Sequence, residues 1–318
     1  MIFFRFLKDW SLPIAMITGA MMYLLYVNIP FFDDTHKIAA DAVAFLQPAL
    51  IFSMLFVTFC KIKIRELRPV RWHFILLALQ MLPFFAISLL LAACETLSSE
   101  IRVLLESFMV CILCPTATAA AVITARLGGN SASLISYTML INMSVALFAP
   151  FFLTLAHPVD DTSFTSSFLL ILGRVFPLLL CPLLAAELLR RYLPRLHNYF
   201  VTKGRNIPFY IWLVALSLAI AMTARAIAHT NLPMYVMAAI AFISFVACIL
   251  QFFMGWFVGS KYGERVTGGQ ALGQKNTVFA IWLAYTFLNP VTAIAGGFYS
   301  LWHNSINTWQ LYRYSHKK

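Results

Sequence analysis

Charge is scarce in this sequence. Lysine, arginine, aspartate and glutamate together make up 11% of the 318 residues, against roughly 25% in soluble domains. No polar tract is long enough to fold as a separate soluble unit, so 1–318 is expected to form a single transmembrane domain. Cysteine is limited to Cys60, Cys94, Cys111, Cys114, Cys181 and Cys248, all in or beside apolar stretches. Cys111 and Cys114 make a CxxC, but there is no second pair, and the seven histidines are scattered. That spacing offers no zinc constellation and reads as small apolar packing. No metal site is expected. Paired aspartates and histidine-carboxylate sets inside the apolar runs are missing too, with Asp41 the only aspartate near the interior of one. An intramembrane enzyme would need such a set.

What the chain has in quantity is hydrophobicity, at 61% of residues and a mean hydropathy of +0.82. This is the composition of an integral membrane protein in contact with the lipid bilayer. Ten apolar spans are expected, at roughly 11–30, 38–60, 73–94, 101–125, 131–156, 166–189, 208–229, 233–259, 268–288 and 290–312. The net charge of +11 does not point to nucleic acid, because the basic residues alternate between loops. Arg5 and Lys8 precede span one, Lys61, Lys63, Arg65, Arg68 and Arg71 follow span two, and Arg126 follows span four. Arg190, Arg191, Arg195, Lys203 and Arg205 follow span six, Lys261 and Arg265 precede span nine, and Arg313, Lys317 and Lys318 close the chain. The other loops hold Asp33, Asp34, Glu95, Glu100, Asp160 and Asp161. With ten spans every basic loop falls on one side, which places both termini in the cytoplasm. The opening MIFFRFLKDW runs straight into span one with no small-residue cleavage site, so span one reads as the insertion signal.

Ten spans divide into two halves of five, about 1–160 and 161–318, and an odd number per half inverts the second half in the membrane. The expected fold is all-α, two inverted five-helix repeats with broken, crossing helices four and nine. Span four carries Pro115 among small residues, and proline removes a backbone hydrogen bond. Its counterpart in the second half contains Gly268–Ala280, reading GGQALGQKNTVFA. In hydrocarbon an unpaired polar group costs several kcal/mol, and a charged one at least roughly 2.5–3.5 kcal/mol. The segment therefore reads as a broken helix facing a cavity or packed protein, with Pro115, Gly268, Gly269 and Gly273 as the breaking residues. The competing reading is an amphipathic helix lying in the membrane interface. Matched breaks near the bilayer midplane point to a binding site.

At these segments the chain resembles the bile acid:sodium symporter family, with a bacterial member as the expected type. CPTATAAAVITARLGGNSAS in span four is similar to the family's CPGGTASNVxTYLxxG segment. GQKNTVFAIWLA in span nine is similar to GMQNSGLAxxLA, and FYSLWHNSIN in span ten to ALFSVWHNISG, most closely at Trp302, His303 and Asn304. The resemblance implies a panel and a core helix group, with substrate and sodium at the crossing of spans four and nine. The departures are specific. The family's Ser-Asn sodium ligands fall at Ala120 and Ala121, and a serine of the next span at Leu134, although a matching threonine remains at Thr138. The family's glutamate falls at Ala271 and its glutamine at Lys275. Alanine and leucine side chains offer no oxygen to sodium, so sodium coupling is in doubt and no cofactor is expected.

Like charges about 4 Å apart repel by roughly 4 kcal/mol at an effective dielectric near 20, so sodium beside a protonated Lys275 is disfavoured. Lys275 could instead substitute for the cation, give an anionic substrate its counter-charge, and release a proton that couples transport to pH. The plainer reading has the amine reach water or pair with Glu106 or Glu187. Gln274, Asn276, Thr277, Thr116 and Thr118 are the other candidates for substrate contact. Gln80 and Thr138 are candidates for the ion site, and Gln80 and Asn142 equally for bonding a neighbouring helix. Trp302, His303, Asn304 and Arg174 are expected to support the site, and Arg225 to lie at the interface. The function these residues point to is a secondary transporter of a small organic anion by alternating access, plausibly monomeric, in the bacterial cytoplasmic membrane. A sodium-coupled symporter with a reduced site, an anion channel and a non-transporting membrane subunit remain the alternatives.

Overall fold

The computed structural model of the protein describes residues 11–29, 31, 35–62, 67–94, 96–157, 163–204 and 206–316. Among these residues the regular elements are all helices. Six helices are long and apolar enough to cross a membrane: Lys37–Cys60, Arg71–Ala93, Ser131–Ala156, Phe164–Tyr192, Ile207–Ala228 and Met234–Ser260. Pro13–Asn28 and Thr277–Phe287 are shorter apolar helices. A backbone in hydrocarbon must bond within its own segment, which is why apolar runs of this length appear as continuous helices. The charged positions Arg5, Lys8, Lys63, Arg65, Arg205, Lys317, Lys318, Asp33, Asp34, Glu95, Asp160 and Asp161 lie outside the described residues, as does the opening decapeptide.

In chain order the helices are α1 (Ser11–Asn28), α2 (His36–Cys60), α3 (Arg71–Ala93), α4 (Ser99–Leu113), α5 (Ala120–Arg126), α6 (Ser131–Ala156) and α7 (Phe164–Tyr192). They continue with α8 (Pro194–Val201), α9 (Ile207–Ala228), α10 (Met234–Ser260), α11 (Arg265–Gly273), α12 (Thr277–Phe287) and α13 (Ala293–Ser315). A 3-10 turn at Pro290–Thr292 leads into α13.

The chain divides into two compact units, each drawing on both halves of the sequence. The first holds 1–61 and 181–231. In it α1 lies against α9, where Gly19 lets the backbone close on the Ser217 carbonyl and the Ser217 hydroxyl donates to the Ala15 carbonyl at 2.9 Å. The helix α8 was not expected from hydropathy. It caps the end of α2, with His197 Nε2 2.8 Å from the Cys60 carbonyl and Phe200 edge-on to Phe56.

The second unit holds 62–180 and 232–318 and contains both interrupted spans. Here α4 packs against α3, α10 and α13, and α11 lies along α10. The last contact is backbone to backbone. A Cβ on Gly268 would meet the Gly255 carbonyl oxygen, one on Gly269 the Trp256 indole, and one on Gly273 the Phe252 ring. This corrects the role expected for these glycines. Gly268 and Gly269 lie inside α11 and Gly273 ends it. They let α11 approach α10, and the interruption itself comes after them, at Gln274–Asn276.

A side chain at Gly268 must therefore push α10 and α11 apart. Gly268→Ala should lower stability by about 1–3 kcal/mol, as overpacking does, whereas Gly173→Ala on α7, whose Cβ would meet nothing within 4 Å, should leave it unchanged or raise it. Thermal melting in detergent checks both.

Candidate functional site

Pro115 stops the first broken span. The residue before a proline is pushed out of the helical region, and Cys114 accordingly sits at φ −57° and ψ 136°. In the second span Gln274 is extended, at φ −94°, ψ 100°, and Asn276 turns the chain at φ −75°, ψ 83°, with the Thr277 amide donating to the Lys275 carbonyl at 3.0 Å. The two extended pieces pair with each other, forming an antiparallel bridge between Thr116 and Lys275. The Ala117 amide donates to the Gln274 carbonyl at 2.8 Å, and the Asn276 amide to the Pro115 carbonyl at 2.9 Å. Each break supplies bonding partners that the other lost.

Side chains complete the pairing. Gln80 Nε2 donates to the carbonyls of Leu113 and Cys114 at 3.2 and 2.9 Å, while its Oε1 accepts from the Tyr137 hydroxyl. The Thr116 hydroxyl donates to the Ala271 carbonyl at 2.7 Å. Tyr299 donates to the Gly273 carbonyl at 2.9 Å, and Gln251 donates to the Cys111 carbonyl and the Tyr299 oxygen. The Lys275 amide donates to His303 Nδ1 at 3.4 Å, which puts the ring proton on Nε2. The Asn276 side chain caps α12 by accepting from the Phe279 amide at 3.2 Å.

Lys275 is 1% exposed. Among the described residues its Nζ has no hydrogen-bond partner, and the same holds for Gln274 Oε1 and Asn276 Nδ2 on either side of it. Three consecutive side chains thus each keep a buried polar atom unbonded, at a place where such atoms normally find partners. The electrostatic neighbours of the amine are the thiols of Cys114, Cys111 and Cys248. Cys111 and Cys114 belong to the last turn and cap of α4, and the C-terminal end of a helix carries partial negative charge that favours a cation.

A family model described as the Sodium Bile acid symporter family matches residues 48–230, more than half of the chain. The chain belongs to this family. It is therefore a multi-pass membrane protein of a transporter family. The match takes in the Pro115 break, Gln80, Thr138 and Arg174, and ends before the Lys275 segment. No curated protein matches the chain.

The structure separates the sequence candidates. Lys275, Gln274, Asn276, Thr277 and Thr116 are buried together at the crossing, while Thr118 is half-buried beside it. Burial of 267–273 in the same unit is incompatible with an interfacial helix. Neither carboxylate considered for Lys275 reaches it: Glu106 bonds His157 and Thr292, and Glu187 bonds Arg190 at 2.6 Å. Thr138 donates back to the Leu134 carbonyl, and Asn142 to the Thr138 carbonyl, leaving Asn142 Oδ1 unbonded. Ala120, Leu134 and Ala271 are fully buried and bring no side-chain oxygen. Trp302 donates to the Ala241 carbonyl and Ser244, anchoring α13 to α10, and Asn304 bonds one turn back to Ser300. Arg174 and Arg225 are exposed, on α7 and in the last turn of α9.

Sequence reasoning missed Tyr299 and Gln251. Gln251 was detectable as the one side-chain amide in the apolar run of α10. Tyr299 lies within the FYSLWHNSIN motif, but no local pattern marks it as the partner of the Gly273 carbonyl. The CxxC does form packing, but packing around an amine. Replacing Gln80 by leucine strands the Leu113 and Cys114 carbonyls and the Tyr137 hydroxyl. Gln80→Leu should cost about 1–3 kcal/mol of stability, read as a lowered melting temperature relative to the native chain.

Proposed function

We propose that this chain is a secondary transporter that carries a small organic anion by alternating access, with the crossing of the two broken spans as its binding site. The family membership gives the transporter class, and the substrate range extends over bile-acid-like and small carboxylate anions. In this reading the spans form two inverted five-helix repeats, the protein is a monomer in a bacterial cytoplasmic membrane, and both termini lie in the cytoplasm. The observation that carries the reading is the buried Lys275 amine without a hydrogen-bond partner at the paired breaks.

Within this scheme Lys275 stands where relatives are expected to hold sodium. Its amine lies by the carbonyl end of α4, among thiols, and a fixed cation there satisfies the same partial negative charge as a metal ion. Gln274, Asn276 and Thr116 sit at the extended segments and provide donors and acceptors for the solute. A positive site favours an anion over a neutral analogue. Sodium then has no place to bind: Ala120, Ala121, Leu134 and Ala271 supply none of the oxygens required. A sodium-coupled symporter with a reduced site is the second reading, favoured by the unbonded Gln274 Oε1 and Asn142 Oδ1.

Counterflow of a labelled bile acid or small carboxylate in proteoliposomes tests the proposal. Native rates should agree in sodium and in choline medium. Lys275→Gln should lower the rate roughly tenfold or more, equivalent to about 1.4 kcal/mol of lost stabilisation. Strict dependence of the native protein on sodium would overturn the substitution and favour the second reading.

A further inference from the structure

The mechanism above leaves one buried carboxylate unused. Glu106, in the middle of α4, is fully buried, and both of its oxygens are engaged. Oε1 lies 3.3 Å from His157 Nδ1 at the end of α6, and Oε2 accepts from the Thr292 hydroxyl at 3.1 Å. The His157 side chain is 36% exposed, so it connects this carboxylate to the surroundings. Thr292 belongs to the turn between α12 and α13. The Glu106–Thr292 bond therefore ties the first half of one broken span to the far end of the other.

The neighbouring charges do not compensate Glu106. Arg102, one turn back on α4, is spent on the carbonyls of Ala156, Leu91 and Cys94. The elements packed against α4 carry Tyr235, which donates to Glu100, and Tyr299 and His303, which serve the crossing. His73 bonds Ser133, while Arg71, Cys111, Cys248 and Tyr285 make no hydrogen bond or ion pair with the carboxylate. A buried ionisable side chain in a membrane helix is a functional candidate by default, and here it has one titratable partner.

We propose that Glu106 and His157 form a proton-binding site whose occupancy sets how firmly the Asn289–Thr292 turn is held to α4. With the carboxylate charged, the Thr292 hydroxyl makes a charge-assisted bond to Oε2, the stronger kind. When the imidazolium Nδ1–H bond breaks and an O–H bond forms on Oε1, the carboxyl becomes neutral and the tether to Thr292 weakens. The neutral imidazole then takes up another proton from solvent. No electron moves and no co-reactant is needed. Use of this proton as a coupling ion rests on the transport reading above, but proton binding itself does not.

The test therefore uses the full-length protein in detergent, with protons as the ligand and no solute. Infrared spectra recorded as the sample is acidified should show the carbonyl stretch of a protonated carboxyl group growing as pH falls. Glu106→Gln should remove the band, and His157→Gln should move it along the pH axis. Hydrogen exchange of the Val291 and Thr292 amides, corrected for intrinsic rate, should speed up roughly threefold or more at the acid end in the native chain and become independent of pH in Glu106→Gln. Thr292→Val deletes the tether but keeps the titrating pair, so the band should persist while exchange is fast at both ends. It also keeps the test decisive if Glu106→Gln does not fold. A titration with no band dependent on Glu106, or exchange that ignores pH in the native chain, overturns the proposal. Counterflow that fails in the native protein would overturn the transport reading and leave the proton site standing.

Discussion

A peptide group inside a bilayer has no water to bond, and every unpaired N–H or C=O there carries a cost of several kcal/mol. The second unit meets this constraint with a reciprocal arrangement. Two interrupted spans lay their extended residues side by side, so that Pro115, Ala117, Gln274 and Asn276 exchange two backbone bonds. Gln80, Thr116, Gln251 and Tyr299 then take up carbonyls that the pairing leaves over. Neither break would be tolerable in hydrocarbon without its counterpart. The position of every side chain at the crossing follows from this short ladder.

Lys275 shows how much depends on it. Its buried amine has the thiols of Cys114, Cys111 and Cys248 as electrostatic neighbours. The Lys275 amine is buried at the crossing with no hydrogen-bond partner among the described residues, and polar atoms of the adjacent residues are unbonded too. In the reading proposed above, this is a change of chemistry on the framework of the sodium bile acid symporter family, with an internal amine taking the place of a bound metal ion. On that proposal sodium is not required and another ion is free to couple transport, and the Glu106–His157 pair stands on the same unit with a direct link to the far end of the second broken span.

The glycines carry a different lesson. Gly268 and Gly269 suggested loosened helix because glycine disfavours helices in isolation, yet they lie within α11 and serve its contact with α10. Close helix approach through small residues is the usual means of association in lipid, where burial of apolar surface gives little drive. Composition marks the small residues, but whether they bend a helix or let one pass close to another depends on the neighbour.

By itself, the sequence determined that the chain is helical and membrane-embedded, because hydropathy and the bilayer leave no other backbone solution. It also located the interruption at Pro115, since a proline acts on its own local bonds, and it marked the Gln274–Asn276 segment through the cost of placing a lysine in an apolar run. The tertiary structure alone decided which groups answer those costs. That Thr116 pairs with Lys275, that Glu106 reaches Thr292 and that Tyr299 serves Gly273 are contacts between residues more than twenty positions apart, and in the first two cases more than one hundred and fifty. No local propensity encodes them, because they exist only once two helices have stopped at the same depth and faced each other.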